Sequence, residues 1–197
     1  MLFSSNYFGT IPYFQELVKH DRIIIDCHET YKKQTWRNRT EVLDSNGPLL
    51  LSVPVFRPNG SHSRMHEIKI TDDVNWRKDH WKAIFSSYRH APYFFYYKER
   101  LKELIYNEEE SLITFNYTIL IQLLNWLDLN IQVDFSREYT PPSGPEDVRV
   151  ALDKKKYDLS QQRYIQVFSD KNEFVPNLSI LDLLLNEGPL ARNYITG

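Results

Sequence analysis

Nine consecutive residues, Tyr31-Lys32-Lys33-Gln34-Thr35-Trp36-Arg37-Asn38-Arg39, carry four cations, two amides and two aromatics in a chain whose net charge is -2. Such a cluster repels itself unless an anion sits beside it, and the fork of an arginine matches phosphate and carboxylate bidentately. If the segment is extended, alternation points Arg37 and Arg39 to one side, and Tyr31 and Lys33 likewise share a face. The chemistry implied is a clamp in which Lys33, Arg37 and Arg39 grip an anion while Gln34 and Asn38 orient an acceptor. The plain structural alternative is a solvated strand edge whose arginines pair with carboxylates of the same chain.

A second candidate group lies in Trp76-Arg77-Lys78-Asp79-His80-Trp81, where helical spacing puts His80 on the same face as Trp76 and sets Arg77, Trp81 and Tyr88 on another stripe. His80 is the candidate general acid or base because imidazole titrates near neutrality. Its structural alternative is a satisfied core histidine, and no serine or cysteine nucleophile can be paired with it from the sequence. Tyr7, Tyr31, Trp76 and Tyr88 supply the aromatic members of the candidate substrate site.

Other constellations are weaker. His62 and His66 are four apart, but Gly60, Ser61 and Ser63 argue for a loop, and Cys27-His28-Glu29 has no spaced second ligand set, so no metal site is assigned. Asp26 follows Gly9 by 17 residues, as an acidic ribose ligand would, yet the glycine fingerprint of dinucleotide folds is absent and no cofactor is assigned. Cys27 reads as a structural thiol at a strand end.

These residues must be carried by a packed protein. The chain has 197 residues with 42% hydrophobic and 14% aromatic content, which excludes disorder and fits a single α/β domain over 1–197. A pI near 6.3 gives no global basic field, so nucleic acid is not an expected partner. The single Cys27 fits a reducing compartment, the N-terminus lacks a signal-peptide pattern, and no apolar run spans a bilayer; a cytoplasmic protein is expected.

The elements follow from periodicity. Leu2 to Tyr7 reads as a buried strand, Pro12 as the start of a helix and Arg22 to Asp26 as a second strand, a strand-helix-strand order that predicts a parallel pair with Asn6, Tyr7, Gly9 and Asp26 near the carboxyl ends. Arg39 to Leu43 and Leu49 to Val55 flank the turn Asp44-Ser45-Asn46-Gly47, a hairpin signal. Residues 57–66 read as a mobile loop and Glu67 to Ile70 as a short strand, so 1–71 is mainly sheet-forming with antiparallel additions. Residues 72–128 are mainly helical and pack on the sheet. Asp72, Asp73 and Asn75 offer N-caps, and helices are predicted to Pro92, from Tyr93 to Tyr106 (Phe94, Tyr97, Leu101, Leu104 and Ile105 inward) and from Leu112 to Leu127. Residues 129–197 hold a lid-like segment at 135–160, a strand at Tyr164 to Phe168, and a helix from Ser179 or Leu181 to Asn186 stopped by Gly188-Pro189.

Taken together, Tyr7-Phe8-Gly9-Thr10-Ile11-Pro12-Tyr13-Phe14, the Tyr31-to-Arg39 cluster, Leu51-Ser52-Val53-Pro54-Val55, Trp76 through His80 to Tyr88 with Pro92-Tyr93-Phe94, and Asn177 through Pro189 resemble the WbqC-like protein family of bacteria. Thr10 stands where relatives often have proline, and Leu185 where an aromatic is common. The resemblance implies a setting among genes for O-antigen and other surface polysaccharides and a role as a glycine transferase or sugar-modifying enzyme. The expected substrate is a small anion, a nucleotide-sugar or an amino acid. A non-catalytic binding module and an interaction subunit of a polysaccharide assembly complex stay open as alternatives.

Overall fold

The computed structural model describes residues 1–72, 74–153, 161–171 and 173–197. Asp73 as an N-cap and the Lys154-Lys155-Lys156 end of the polar segment fall outside them.

Three short strands form a parallel sheet in the order β1-β2-β7, with β1 at Leu2–Phe3, β2 at Arg22–Ile25 and β7 at Gln132–Phe135. Helix α1 (Ile11–Leu17) makes the β1-to-β2 crossover. Thr10 caps it by accepting from the Tyr13 amide at 3.3 Å, and Pro12 sits in the first turn, where its missing N–H leaves no bond unmade. The first strand is shorter than the sequence suggests, because the chain leaves the ladder after Phe3: Tyr7 donates its amide to the Trp36 carbonyl, not to β2. β7 pairs with β2 from Arg22↔Gln132 to Ile25↔Phe135 and was not anticipated.

The antiparallel additions stand as separate ladders. β3 (Arg39–Asp44) and β4 (Gly47–Ser52) form the expected hairpin, whose turn uses Gly47 at φ +110°, a conformation that a Cβ disfavours. β5 (Val55–Phe56) pairs with β6 (Lys69–Ile70). Residues 57–66 differ from a simple loop: two 3-10 turns at Gly60–His62 and Met65–Glu67 bring Ser63 and Met65 into the core, tied by Tyr31 N to Ser63 O and Met65 N to Glu29 O, both 2.9 Å.

The helical middle comprises α2 (Trp76–Tyr88), α3 (Phe94–Ile105) and α4 (Leu112–Trp126). α3 buries the five residues its periodicity predicts. Trp76, His80, Ile84, Ser87 and Tyr88 are buried, while Trp81 and Phe85 lie half-buried against Phe94. Neither Asn75 nor Asp72 caps α2 with its side chain; Asp72 instead accepts from Trp76 and Arg77 side chains.

After β7 come α5 (Val148–Ala151), α6 (Ile180–Glu187) and α7 (Ala191–Thr196). Tyr164 to Phe168 is not a strand: Gln166 turns its amide onto the backbone of Val175, holding the segment by side-chain bonds and not by a ladder. The Ser179 hydroxyl caps α6 and donates to the Phe8 carbonyl at 2.9 Å, which ties the C-terminal helix to the turn after β1. Gly188 ends α6 at φ +58°, and a Cβ there would lie within 2.6 Å of the Tyr93 ring, so both backbone and packing require glycine.

Candidate functional site

The carboxyl ends of the parallel strands carry a buried charge network. Asp26, directly after β2, accepts on Oδ1 from the amides of His28 (3.1 Å) and Glu29 (3.0 Å) and from the Ser136 hydroxyl (3.2 Å). Its Oδ2 accepts from Arg149 Nη1 at 2.5 Å. Arg149 in turn donates to the Thr140 carbonyl and, through Nε and Nη2, to both oxygens of Asp147. Residues 136–153 are thus strapped across the strand ends by ionic contacts, the place where open α/β sheets hold ligands.

Arg37 lies inside this network and is 0% exposed. Its Nε and Nη2 meet the two oxygens of Glu29 at 2.8 and 2.6 Å; Nη2 also reaches the Ser4 hydroxyl at 2.7 Å. Nη1 donates to Asp153 at 2.7 Å and to Thr35 at 3.1 Å. All five donors of the guanidinium are engaged, and the flanking carboxylates hold it protonated far above any working pH. The structural alternative therefore describes Arg37: it is clamped to internal carboxylates.

The side-by-side arrangement of Arg37 and Arg39 does not form, because the segment is not extended. It passes through successive turns with Gln34 at φ +59°, and β3 begins only at Arg39. The stretch is stapled on three sides: Trp36 O accepts from Tyr7 N (2.9 Å), Arg37 O from the Asn116 side chain (2.8 Å), and Asn38 O from Val53 N (2.8 Å). Arg37 turns inward, Arg39 stays half-buried, and Lys33 and Gln34 face solvent.

Arg39 acquires a different companion. Burial pushes the Tyr31 phenol above its ordinary value, and the positive charges of Arg37, Arg57 and Arg39 pull against that shift. Among the described residues Arg39 and Arg57 form no ion pair, and Arg39 Nε is buried without a partner. Asn38 gives its amide nitrogen to Val53 O at 2.8 Å, leaving Oδ1 buried and unpaired. Half-buried guanidiniums with no ion-pair partner among the described residues, one with a buried unpaired Nε, can bind phosphate or carboxylate. Arg57 gave no sequence signal beyond following the Leu51-to-Val55 strand.

Tyr7, Trp76 and His80 come together, but as an enclosed box with Phe115. The Tyr7 hydroxyl is 2.9 Å from His80 Nδ1, and the Trp76 and His80 rings are 5.0 Å apart. His80 is 5% exposed, and burial drives its pKa down to about 4 despite a hydrogen bond to the Ser52 backbone. The imidazole is neutral at pH 7. Since the Ser52 carbonyl takes the ring's hydrogen, Tyr7 donates to Nδ1. Tyr88 is remote from both groups: its hydroxyl donates to Asp182 Oδ1 at 2.9 Å and accepts from the Leu43 amide at 3.0 Å. Tyr164, at 2.5 Å, and Gln166, at 3.1 Å, complete the shell of Asp182.

Among the described residues no group of three or more His, Cys, Asp or Glu is arranged to hold a metal ion, and no helix is long and apolar enough to cross a membrane. The model of the WbqC-like protein family matches residues 4–156. The chain is 26% identical to the uncharacterized protein Rv1507c of Mycobacterium tuberculosis over a 222-residue alignment, covering 97% of this chain and 94% of that one. No solved structure matches it.

Proposed function

The chain belongs to the WbqC-like protein family, and from that premise we propose that it is a transferase-like enzyme of bacterial surface-polysaccharide (O-antigen) assembly acting on a small anionic substrate, a nucleotide-sugar or an amino acid such as glycine. One observation carries the anionic part: Arg39 and Arg57 are half-buried and form no ion pair among the described residues, and Arg39 Nε is buried without a partner. A cation withdrawn from water without a partner is destabilising, and a bound phosphate or carboxylate removes that penalty. Lys33 and Gln34, exposed in the same segment as Arg39, serve in this reading as contacts for an acceptor.

The non-catalytic binding-module reading draws on a separate observation. His80, the candidate acid or base, is enclosed and neutral, and its polar partners are Tyr7 and Ser52. Thermal-shift titration with nucleotide-sugars, nucleotides, inorganic phosphate, glycine and other amino acids tests both, because a native-state ligand raises Tm by mass action. A hit abolished by Arg39→Ala or Arg57→Ala, and kept by the distant Lys102→Ala, supports the anion site. Turnover of that ligand supports the enzyme and its absence the module. A panel without hits counts against both and favours an interaction subunit, for which Phe95 and Tyr96 offer exposed rings.

A further inference from the structure

Asp153 differs from every other carboxylate in the strand-end network. Glu29 is eight residues from Arg37 in sequence, buried, and matched to both prongs of its fork. Asp153 arrives from the strap, 116 residues away, and contacts only Nη1, at 2.7 Å. Its second oxygen takes Lys32 Nζ at 3.1 Å, and its side chain keeps 16% exposure. Thr35 completes the surround, accepting from the same Nη1 and donating to the Lys32 carbonyl.

We propose that the Asp153 carboxylate occupies a second anion seat, built by Arg37 Nη1 and Lys32 Nζ, which a substrate carrying two adjacent anionic groups takes over by displacing it. This rests on the reading of Arg39, Arg57 and Tyr31 as the first seat. The two seats are neighbours along the chain: Arg37 and Arg39 are two residues apart, so their Cα atoms lie within about 7 Å, on a segment stapled through the Arg37 and Asn38 carbonyls. Lys32, Arg37, Arg39 and Arg57 give four positive charges against Glu29 and Asp153, so the region is net positive even with the strap in place. A diphosphate fills both seats, whereas the single carboxylate of an amino acid fills one.

Displacement is easy at Asp153 and hard at Glu29. Asp153 is already part-hydrated and releases its charge into water, while withdrawing Glu29 would strand Arg37 in the core. The strap is also held by Arg149 on Asp26 and by Leu152 and Val148 packed on the core, so the displacement required is a swing of the Asp153 side chain and the end of the strap, with the core contacts kept.

The test is calorimetric titration of the full chain with inorganic pyrophosphate. Removing the charge of the competing occupant makes it easier to displace and raises the competent fraction, so Asp153→Asn is expected to bind about tenfold more tightly than wild type, and Lys32→Ala in that background to reverse the gain. Unchanged or weaker binding by Asp153→Asn overturns the second seat. Binding that Arg39→Ala abolishes and Asp153→Asn leaves unchanged overturns the second seat alone; no binding by either protein overturns both seats. Should Asp153→Asn fail to fold, hydrogen exchange on the wild type decides: pyrophosphate is expected to lower protection of the Val150 and Leu152 amides, and unchanged or raised protection refutes displacement.

Discussion

Arg37 and Glu29 form a two-pronged ion pair in the core, with Nε and Nη2 at 2.8 and 2.6 Å from the two carboxylate oxygens. Burying such a pair is not in itself strongly stabilising, but removing one partner leaves the other charged and dry. Arg37→Met is therefore expected to cost about 3–5 kcal/mol, and adding Glu29→Gln to recover much of it. Arg39→Ala, which breaks no ion pair, is expected to stay within about 1 kcal/mol. Urea denaturation of the four proteins checks the contrast; equal losses at Arg37 and Arg39 would contradict it.

That contrast also shows where sequence reasoning stops. Arg37 and Arg39 are the same residue type two positions apart, and alternation assigns them one face. The structure separates them because Gln34 adopts a left-handed conformation and because Arg37 alone is received by Glu29, eight residues before it, and Asp153, 116 residues after it. Nothing local encodes such partners. By comparison, the inward face of α3 was legible because five apolar residues repeat at helical spacing, and the β3–β4 hairpin because Asn46-Gly47 separates two extended runs. β7 was missed because Gln132-Val133-Asp134-Phe135 alternates weakly and is a strand chiefly by pairing with β2.

His80 sets a pH dependence of stability. Its folded pKa, about 4, lies below the unfolded value near 6.5, so the unfolded chain binds more protons in that interval. Stability is intact above pH 6.5 and falls as the pH drops toward 4, by up to about 3 kcal/mol from this residue. His80→Gln removes the titration, so its unfolding free energy is expected to decline less than that of the wild type between pH 7 and pH 4.5. Parallel profiles would mean that the imidazole keeps an ordinary pKa and is reachable by protons, which would restore it as a catalytic candidate.

Tyr88 is expected to matter for folding and not for ligand. Its hydroxyl is the sole side-chain partner of the Leu43 amide and one of three donors to Asp182, whose carboxyl burial pushes upward. Tyr88→Phe leaves both groups short of a bond in the core and should cost about 1–3 kcal/mol. At roughly 2–4 °C per kcal/mol for a chain of this size, the fall in Tm is easily resolved. Pyrophosphate or phosphate affinity should be unaffected; a loss of affinity at full folding would return Tyr88 to the binding site.

The strap's attachment gives the last expectation. Asp26 collects four donors, and of these only Arg149 belongs to the strap proper, with Ser136 at its root. Asp26→Asn retains an oxygen for the His28 and Glu29 amides but loses the charge that faces Arg149, which then keeps Asp147 alone. Because Arg149 remains half-compensated, the cost should sit below that of the Arg37 substitution, at about 2–3 kcal/mol. The loss should also be local: limited proteolysis is expected to cut within residues 137–147 well before global unfolding, since that stretch is largely exposed and Arg149 is its ionic anchor, whereas Val148 and Leu152 pack on the core. Asp147→Asn, which weakens the same guanidinium from the strap's side, should produce the same cleavage pattern. Cleavage elsewhere first, or none before global unfolding, would show that the strap is held by its packing and that the Asp26–Arg149 pair is incidental to it.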